Sequence, residues 1–198
     1  MCGRYILREV TEQDVLRLAS FSDEELHLNK YGDIHPSEGG LVLAGSGGGL
    51  KAQVMRWGFP AARPGQLIIN ARSETAAEKP AFSESVRRRR CVIPAAGFYE
   101  WDAKKRKVTY YLPERRTIYM AGVYRRFGEE ERFVILTRAA NESVSPVHDR
   151  MPVILAEGEI EDWIRRDDRA ARILKAEGPY LEAVRPEEEY RQLSLFDG

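Results

Sequence analysis

The stretch CVIPAAGFYEW, residues 91–101, gives the clearest indication of the fold. It contains two short apolar runs, Cys91–Pro94 and Phe98–Trp101, which predict strands because short apolar segments bounded by turn residues are typical of buried strands. The charged run Asp102–Lys107 follows and predicts a turn before another strand at Val108–Leu112. The stretch therefore indicates a fold of short strands joined by tight turns.

The same pattern extends in both directions along the chain. Further strands are predicted at Cys2–Leu7, Leu41–Ala44, Leu50–Trp57, Leu67–Ala71, Ile118–Tyr124, Arg132–Thr137 and Met151–Leu155. Helices are predicted at Thr11–Ala19, Pro80–Arg90, Glu159–Arg166 and Asp168–Ala176. Many short strands with helices inserted between them indicate an α+β domain built on a curved, barrel-like mixed β-sheet.

Two local features add detail to this pattern. Thr11 is followed three residues later by Asp14, a spacing that predicts a capped helix start at Thr11. The glycine-rich run Gly45–Gly49 predicts a hairpin turn, because it lacks the Lys-Ser/Thr ending of a phosphate-binding loop and precedes a strand.

Size and composition indicate an ordinary globular domain. The 198 residues are 43% hydrophobic and 31% charged, which suits a single domain at residues 2–185 with an acidic, flexible tail at 186–198. No apolar run approaches the length of a membrane span, and the N-terminus lacks the layout of a signal peptide. We therefore expect a cytoplasmic monomer without membrane contact.

The two cysteines, Cys2 and Cys91, do not make a disulfide framework, and the Cys and His residues are not spaced as a zinc site. We therefore expect a reducing compartment and no metal or other cofactor. The formal net charge is zero, but only seven of the 31 basic residues are Lys. Guanidinium groups suit phosphate contact and base stacking, yet genomic composition gives the same bias, so charge alone leaves the partner open.

Cys2 directly follows the initiator Met1 and is the strongest candidate for chemistry. If Met1 is removed, Cys2 presents an α-amine and a thiol on adjacent carbons, with reference pKa values of about 8 and about 8.5. Such a 1,2-aminothiol condenses with an aldehyde: the amine forms a Schiff base and the thiol then closes a thiazolidine ring. The alternative is that Cys2 is an inert small residue beside the N-terminal strand.

Three further segments place polar groups among apolar neighbours, where a site is expected. Asn70 lies where a predicted strand ends, Glu100 lies between two aromatic residues, and His148 comes just before an apolar run. Each also has a structural interpretation. Asn70 can simply terminate a strand, Glu100 can pair with an arginine, and His148 can be a hydrogen-bonded buried histidine.

Together these segments resemble the SOS-response-associated peptidase (SRAP) family of abasic-site processing proteins. The matching motifs, in order, are Met1–Arg4, Arg56–Phe59, Asn70–Glu74, Arg89–Trp101, Thr137–Asn141 and His148–Pro152. They span roughly residues 2–164, and six ordered motifs argue against chance convergence. The family fold is a single α+β domain on a barrel-like sheet, in agreement with the strand pattern.

The resemblance implies that the chain senses abasic sites in single-stranded DNA and traps them as a thiazolidine crosslink, which shields the lesion. By position, Cys2 is then the nucleophile, through nitrogen and sulfur, once Met1 is lost. Asn70 is expected to hold the Cys2 amine. Glu100 is expected to move protons during sugar opening and dehydration, and His148 to act on the sugar oxygen and assist reversal.

The resemblance also implies a DNA-binding surface. The expected contacts are Arg4, Arg72, Arg150, Trp57, Trp101 and Pro36. The three arginines each lie within two residues of a catalytic candidate and suit flanking phosphates. The two tryptophans suit base stacking, although Trp101 can equally be a core residue. Asp33 and His35, just before Pro36, depart from the family pattern.

The tail ends in Gln192-Leu193-Ser194-Leu195-Phe196. This pentapeptide resembles the motif by which bacterial repair and replication proteins dock on the sliding clamp. Leu and Phe anchors on a flexible tether suit a hydrophobic pocket, so the clamp is an expected partner. The alternative is that Leu195 and Phe196 fold back onto the domain.

Three activities stay open at this point. The first is covalent capture of abasic DNA, with AP-lyase cleavage through the Schiff base as a side reaction. With this activity we expect the chain at the nucleoid. The second is a thiol peptidase or amidase that uses Cys2 as its nucleophile, including autoprocessing at Met1. The third is non-covalent binding of single strands without chemistry.

Overall fold

The computed structural model describes residues 2–19, 21–22 and 31–186. Its strands are β1 (Tyr5–Leu7), β2 (Phe21–Ser22), β3 (Gly32–Ile34), β4 (Gly39–Ser46), β5 (Gly49–Trp57), β6 (Phe59–Pro60), β7 (Leu67–Ile68), β8 (Asn70–Arg72), β9 (Arg90–Ala95), β10 (Gly97–Trp101), β11 (Lys107–Tyr111), β12 (Ile118–Phe127), β13 (Glu130–Ala139), β14 (Arg150–Pro152), β15 (Ile154–Leu155) and β16 (Glu182–Val184). Its helices are α1 (Glu9–Leu18), α2 (Ser73–Ala76), α3 (Ser83–Arg88), α4 (Ile160–Arg165) and α5 (Asp167–Ile173), and 3₁₀ turns lie at Pro113–Arg115 and Glu157–Glu159. Within these ranges no helix is both long and apolar enough to cross a membrane.

Five strands close into a barrel. β9 pairs with β4, β4 with β5, β5 with β13, β13 with β12, and β12 returns to β9. The β5–β13 contact is parallel and the other four are antiparallel, so the sheet is mixed. The prediction of an α+β domain with a curved, barrel-like mixed sheet is therefore confirmed.

A second, antiparallel sheet has the strand order β16-β11-β10-β1-β3. Successive side chains of a strand point to opposite faces of its sheet. In β10, Phe98 belongs to the main core, whereas Tyr99 packs with Ile6 and Tyr111 in a small cluster on the other face. Glu100, two residues after Phe98, therefore points to the same side as the main core.

The parallel pairing of β8 with β13 brings distant motifs together. Asn70 lies opposite Ile135, and Arg72 lies opposite Thr137. On the other side of β13, the antiparallel strand β14 places Arg150 opposite Ala139. The segments around Asn70 and Arg150 therefore meet across one strand.

The hairpin prediction is confirmed, because β4 and β5 are antiparallel and Ser46 pairs with Gly49 around a two-residue turn. The predicted start of the first helix is wrong. α1 begins at Glu9, after Arg8, without a side-chain cap, and Thr11 is buried inside the helix. Burial of the Thr11 hydroxyl takes it out of the capping position that the spacing with Asp14 had indicated.

Two other predicted boundaries change. The helix predicted at Pro80–Arg90 ends at Arg88, since Arg90 begins β9 and donates from its buried guanidinium to the carbonyls of Val86 and Trp163. The single strand predicted at Met151–Leu155 is two short strands, β14 and β15, which pair with different neighbours.

Candidate active site

Cys2 lies just before β1 and is completely buried in the chain that retains Met1. Its backbone carbonyl accepts a hydrogen bond of 2.9 Å from Nδ2 of Asn70, and its thiol donates to the carbonyl of Arg4 at 3.6 Å. Oδ1 of Asn70 is buried without a hydrogen-bond partner among the described residues. Asn70 thus fixes the Cys2 backbone and keeps an acceptor next to it.

Glu100 is a second buried member of the site, with an exposed fraction of 2%. Burial is the main reason that its pKa rises to about 7, because desolvation disfavours the ionised carboxylate. The pKa of the Cys2 thiol is also raised, first by burial and then by the charge of Glu100. The thiol is therefore protonated at neutral pH, whereas Glu100 exchanges its proton near neutrality.

His148 lies in the segment between β13 and β14. Its Nδ1 accepts a hydrogen bond of 3.0 Å from the backbone N–H of Arg150, and Oδ1 of Asp149 lies 2.9 Å from the same nitrogen. The hydrogen bond from Arg150 requires an unprotonated Nδ1, whereas an ion pair with Asp149 requires a protonated one. Burial lowers the pKa of His148, which favours the neutral ring. That ring carries its proton on Nε2 and can donate it there.

Arg150 is held by an ion pair. Its Nη1 and Nη2 donate to the two carboxylate oxygens of Glu74 at 2.6 and 2.8 Å, and Nη2 also donates to the carbonyl of Thr137. Hydrogen bonding from Arg150 lowers the pKa of Glu74 to about 2. Arg150 therefore lies beside His148, with its guanidinium already engaged by Glu74.

Arg4 and Trp101 are brought together on the outer face of the second sheet. The Arg4 guanidinium lies 5.3 Å from the Trp101 ring and 5.8 Å from the Tyr99 ring, and Nη1 lies 3.5 Å from Asp33. Trp101 is partly exposed and points away from the face that holds Glu100. Asp33, which departs from the family pattern, thus balances the charge of Arg4.

Arg72 and Pro36 occupy different positions. Arg72 ends β8 with an exposed side chain, two residues after Asn70. Pro36 is half-buried in the turn between β3 and β4. The Arg72 side chain is therefore exposed close to Asn70, whereas Pro36 lies on the turn that leads into the barrel.

Trp57 corrects a prediction. It is 0% exposed, its ring stacks on Phe133 at 6.1 Å and packs on Tyr5 at 5.3 Å, and its indole N–H donates to the carbonyl of Ile69. No face of the ring is left for a base, so Trp57 is a core residue. The motif Arg56–Phe59 therefore contributes Trp57 to the packing of the barrel.

Two buried tyrosines at the site, Tyr5 and Tyr110, do not stand out as site residues in the sequence. Burial, followed by the charge of Glu100, raises the pKa of Tyr110 to about 12, and the pKa of Tyr5 is raised by burial and then by Cys2. Tyr110 pairs with Phe98 across β10 and β11. Phe98 and Glu100 share one face of β10, so the pairing of Phe98 with Tyr110 places Tyr110 beside Glu100. The sequence would show Tyr110 as a neighbour of Glu100 only if the register of the two strands were known.

The described residues contain no group of three or more His, Cys, Asp or Glu side chains that could hold a metal ion. Cys2 and Cys91 are both free thiols. The tail motif, Gln192, Leu193, Leu195 and Phe196, lies outside the described residues.

The fold and this cluster define a single-domain α+β protein with a buried cysteine and a buried carboxyl group, next to a partly buried amide and a partly buried imidazole, all four from separate segments. The family model "SOS response associated peptidase (SRAP)" matches residues 1–188, so the chain belongs to that family. The chain is 33% identical to the abasic site processing protein YoaM of Bacillus subtilis over 180 residues, which cover 83% of this chain and 79% of the relative. It is 28% identical to the abasic site processing protein YedK of Escherichia coli, covering 84% and 81%.

Solved structures agree on the fold. A protein from Bacteroides thetaiotaomicron superimposes with a TM-score of 0.77 at 23% identity, covering 93% of this chain and 91% of the other. A protein from Bordetella bronchiseptica gives 0.76 at 24% identity, covering 93% and 99%. At these identities the likeness supports the fold alone.

Proposed function

We propose that the chain, once Met1 is removed, captures abasic sites in single-stranded DNA by forming a thiazolidine between Cys2 and the sugar aldehyde. The observation that carries this proposal is the buried pair of Cys2 and Glu100, with a carboxyl pKa of about 7. Membership of a family whose relatives are named abasic site processing proteins supports the same substrate.

The chemistry follows from the protonation states. As a carboxylate, Glu100 accepts a proton from the α-ammonium of Cys2, and the free amine adds to C1′ of the ring-opened sugar. As an acid, it returns that proton to the carbinolamine hydroxyl, which leaves as water. Loss of water leaves an iminium whose nitrogen keeps its hydrogen. The thiol sulfur then bonds to C1′, the nitrogen takes up the C=N electron pair and becomes the ring amine, and the thiol proton passes to the carboxylate of Glu100.

Asn70 and His148 position and protonate the reactants. Asn70 holds the Cys2 backbone through its Nδ2, and its buried Oδ1 can accept a hydrogen bond from the α-amine. Nε2–H of His148 can donate to the sugar oxygen during ring opening and to the same oxygen during reversal. An AP-lyase side reaction would start from the same Schiff base.

The thiol peptidase alternative is less well supported. A cysteine nucleophile attacks as a thiolate, and both burial and the charge of Glu100 raise the pKa of the Cys2 thiol. An amine that attacks first has no such requirement, because the sulfur reacts later with an activated imine carbon. The raised thiol pKa therefore favours aldehyde capture over peptide hydrolysis.

DNA binding is proposed at residues around the site. Arg72 and Arg150 flank Asn70 and His148 in the fold, and phosphates there would position the strand. Arg4 with Trp101 offers a cation and a ring face on the neighbouring sheet. Pro36 stays a proposed contact near the DNA junction. Under this proposal the protein acts at the nucleoid in the cytoplasm.

Incubation with a single-stranded oligonucleotide that contains one abasic site is expected to give a heat-stable shifted band on a denaturing gel. Intact mass spectrometry should show the sum of the two masses minus one water, with Met1 absent. An oligonucleotide whose abasic aldehyde has been reduced to an alcohol is the control and should give no band. If the methionine-free protein forms no adduct with the unreduced site, the proposal is wrong.

We also propose that the tail docks on the bacterial sliding clamp through Leu195 and Phe196, on the basis of its sequence alone. Changing Leu195→Ala and Phe196→Ala together is expected to abolish recovery of the purified clamp in a pull-down. Asp197→Ala, in the same tail, is the matched control and should bind like the wild type. Equal recovery by all three proteins would mean that the tail has no clamp-binding role.

A further inference from the structure

A cavity of about 700 Å³ lies beside the candidate active site, where β8 and β13 end. Its walls are the start of α2, the segment that follows β13, and the last turn of α5 with the loop after it. Ala139, Ala171 and Leu174 make it partly apolar, and Ser73 and Arg138 contribute buried polar groups. A volume of this size suits a small-molecule or nucleotide-sized group.

Arg138 is the main feature of the cavity. Its exposed fraction is 7%, and Nη2 donates to the carbonyl of Ile173 at 2.6 Å. Its Nε is buried without a hydrogen-bond partner, and no carboxylate forms an ion pair with it in the part of the chain that the structure describes. The carboxylates of Glu74 and Glu159 act on this guanidinium only from beyond ion-pair distance. Because a buried charge without an ion-pair partner is unfavourable, an anion that enters the cavity can supply that partner.

Ser73 provides a second, independent donor. Its exposed fraction is 6%, and Oγ has no hydrogen-bond partner among the described residues. Lys175 adds an exposed cation to the lining. Glu74 and Glu177 also line the cavity, but Glu74 is neutralised by its two hydrogen bonds from Arg150, and Glu177 is exposed to solvent.

We propose that this cavity binds a phosphate-bearing nucleotide group, with the phosphate at Arg138 and Ser73 and the sugar or base against the apolar wall. The inference rests on the proposed function, because the nucleotide is taken to be one that flanks the abasic site in the bound strand. The connection to the active site is direct. Arg150 touches His148 through its backbone N–H and the cavity residue Glu74 through its guanidinium.

The test measures binding of a fluorescent, undamaged single-stranded oligonucleotide and, separately, of thymidine 5′-monophosphate. Arg138→Gln and Ser73→Ala are each expected to weaken oligonucleotide binding by about tenfold, which corresponds to about 1.4 kcal/mol. Arg138→Gln should also reduce the slope of log affinity against log salt by about one. Arg169→Gln is the matched control, because it also removes one positive charge but lies on α5 outside the cavity. It should change the oligonucleotide affinity and the salt slope by less than Arg138→Gln does.

The outcomes are distinct. Unchanged oligonucleotide affinity in both variants overturns the inference. Loss of thymidine monophosphate binding with unchanged oligonucleotide binding assigns the cavity to a free nucleotide and overturns its place on the DNA path. If Arg138→Gln does not fold, judged by its circular dichroism spectrum, Ser73→Ala decides. Adduct formation by the wild type with abasic DNA is measured separately, so failure of the proposed function is not confused with failure of this site.

Discussion

Insertion of one glycine between Met1 and Cys2 is expected to abolish the heat-stable adduct with abasic DNA completely. After methionine removal, the amine then belongs to the glycine, and the thiol of Cys2 is no longer on the adjacent carbon. The five-membered ring cannot close, although the thiol and the rest of the site are kept. Denaturing gel electrophoresis after heating, with an abasic oligonucleotide, measures the loss.

Cys2→Ala separates the role of the terminal amine from the role of the thiol. This variant keeps the terminal amine, so borohydride should trap a Schiff base, while the heat-stable band disappears. Cys91→Ala is the matched control, because Cys91 is the other buried free thiol and should leave the adduct unchanged. A stable adduct from the glycine-extended protein would contradict the thiazolidine. Cleavage of a test peptide by that same protein would favour the thiol peptidase instead.

The positions of the strands and the order of strands and helices along the chain could be predicted from sequence, because short apolar runs bounded by turn residues rarely form anything but strands. Residues 91–101 illustrate this: the predicted strands Cys91–Pro94 and Phe98–Trp101 correspond to β9 and β10. Pairing between distant strands could not be predicted. The parallel contact of β8 with β13 is what places Asn70 near the His148 segment, and no local pattern encodes it.

Burial was the other property that local patterns missed. The family resemblance implies a stacking role for Trp57, yet Tyr5 and Phe133 enclose its ring from two other strands. Arg90 looks like the end of a basic run but is buried against backbone carbonyls. Conversely, Glu100 between two aromatic residues was a correct sign of a buried carboxyl, because alternation puts it on the core face of β10.

Glu100→Gln is expected to slow adduct formation by about a hundredfold, the lower range for loss of a general acid–base group. Adduct formation by the wild type should rise with pH through about 7, as Glu100 becomes the carboxylate that accepts the amine proton. The amide of the variant cannot titrate, so this rise should disappear. Single-turnover rates between pH 5 and pH 9 measure the difference.

Glu100→Gln should slow the reaction but stabilise the folded protein above neutral pH. The folded pKa of Glu100, about 7, lies above its ordinary value of 4.5. The folded state therefore holds a proton that the unfolded state has lost between these values, and stability falls as the pH rises through this window. Above pH 7 the buried carboxylate costs about 3 kcal/mol, and Glu100→Gln removes that cost, so the variant should melt at a higher temperature than the wild type at pH 8.

Glu74→Gln is the matched control for this sign, because the pKa of Glu74 is lowered to about 2 by Arg150. Its contribution to stability is present above the ordinary carboxyl pKa and is lost as the pH falls towards 2. Glu74→Gln should therefore melt at a lower temperature than the wild type at pH 8, opposite to Glu100→Gln. If both variants are destabilised alike at pH 8, Glu100 is an ordinary paired carboxylate, and its role as the proton acceptor for Cys2 is wrong.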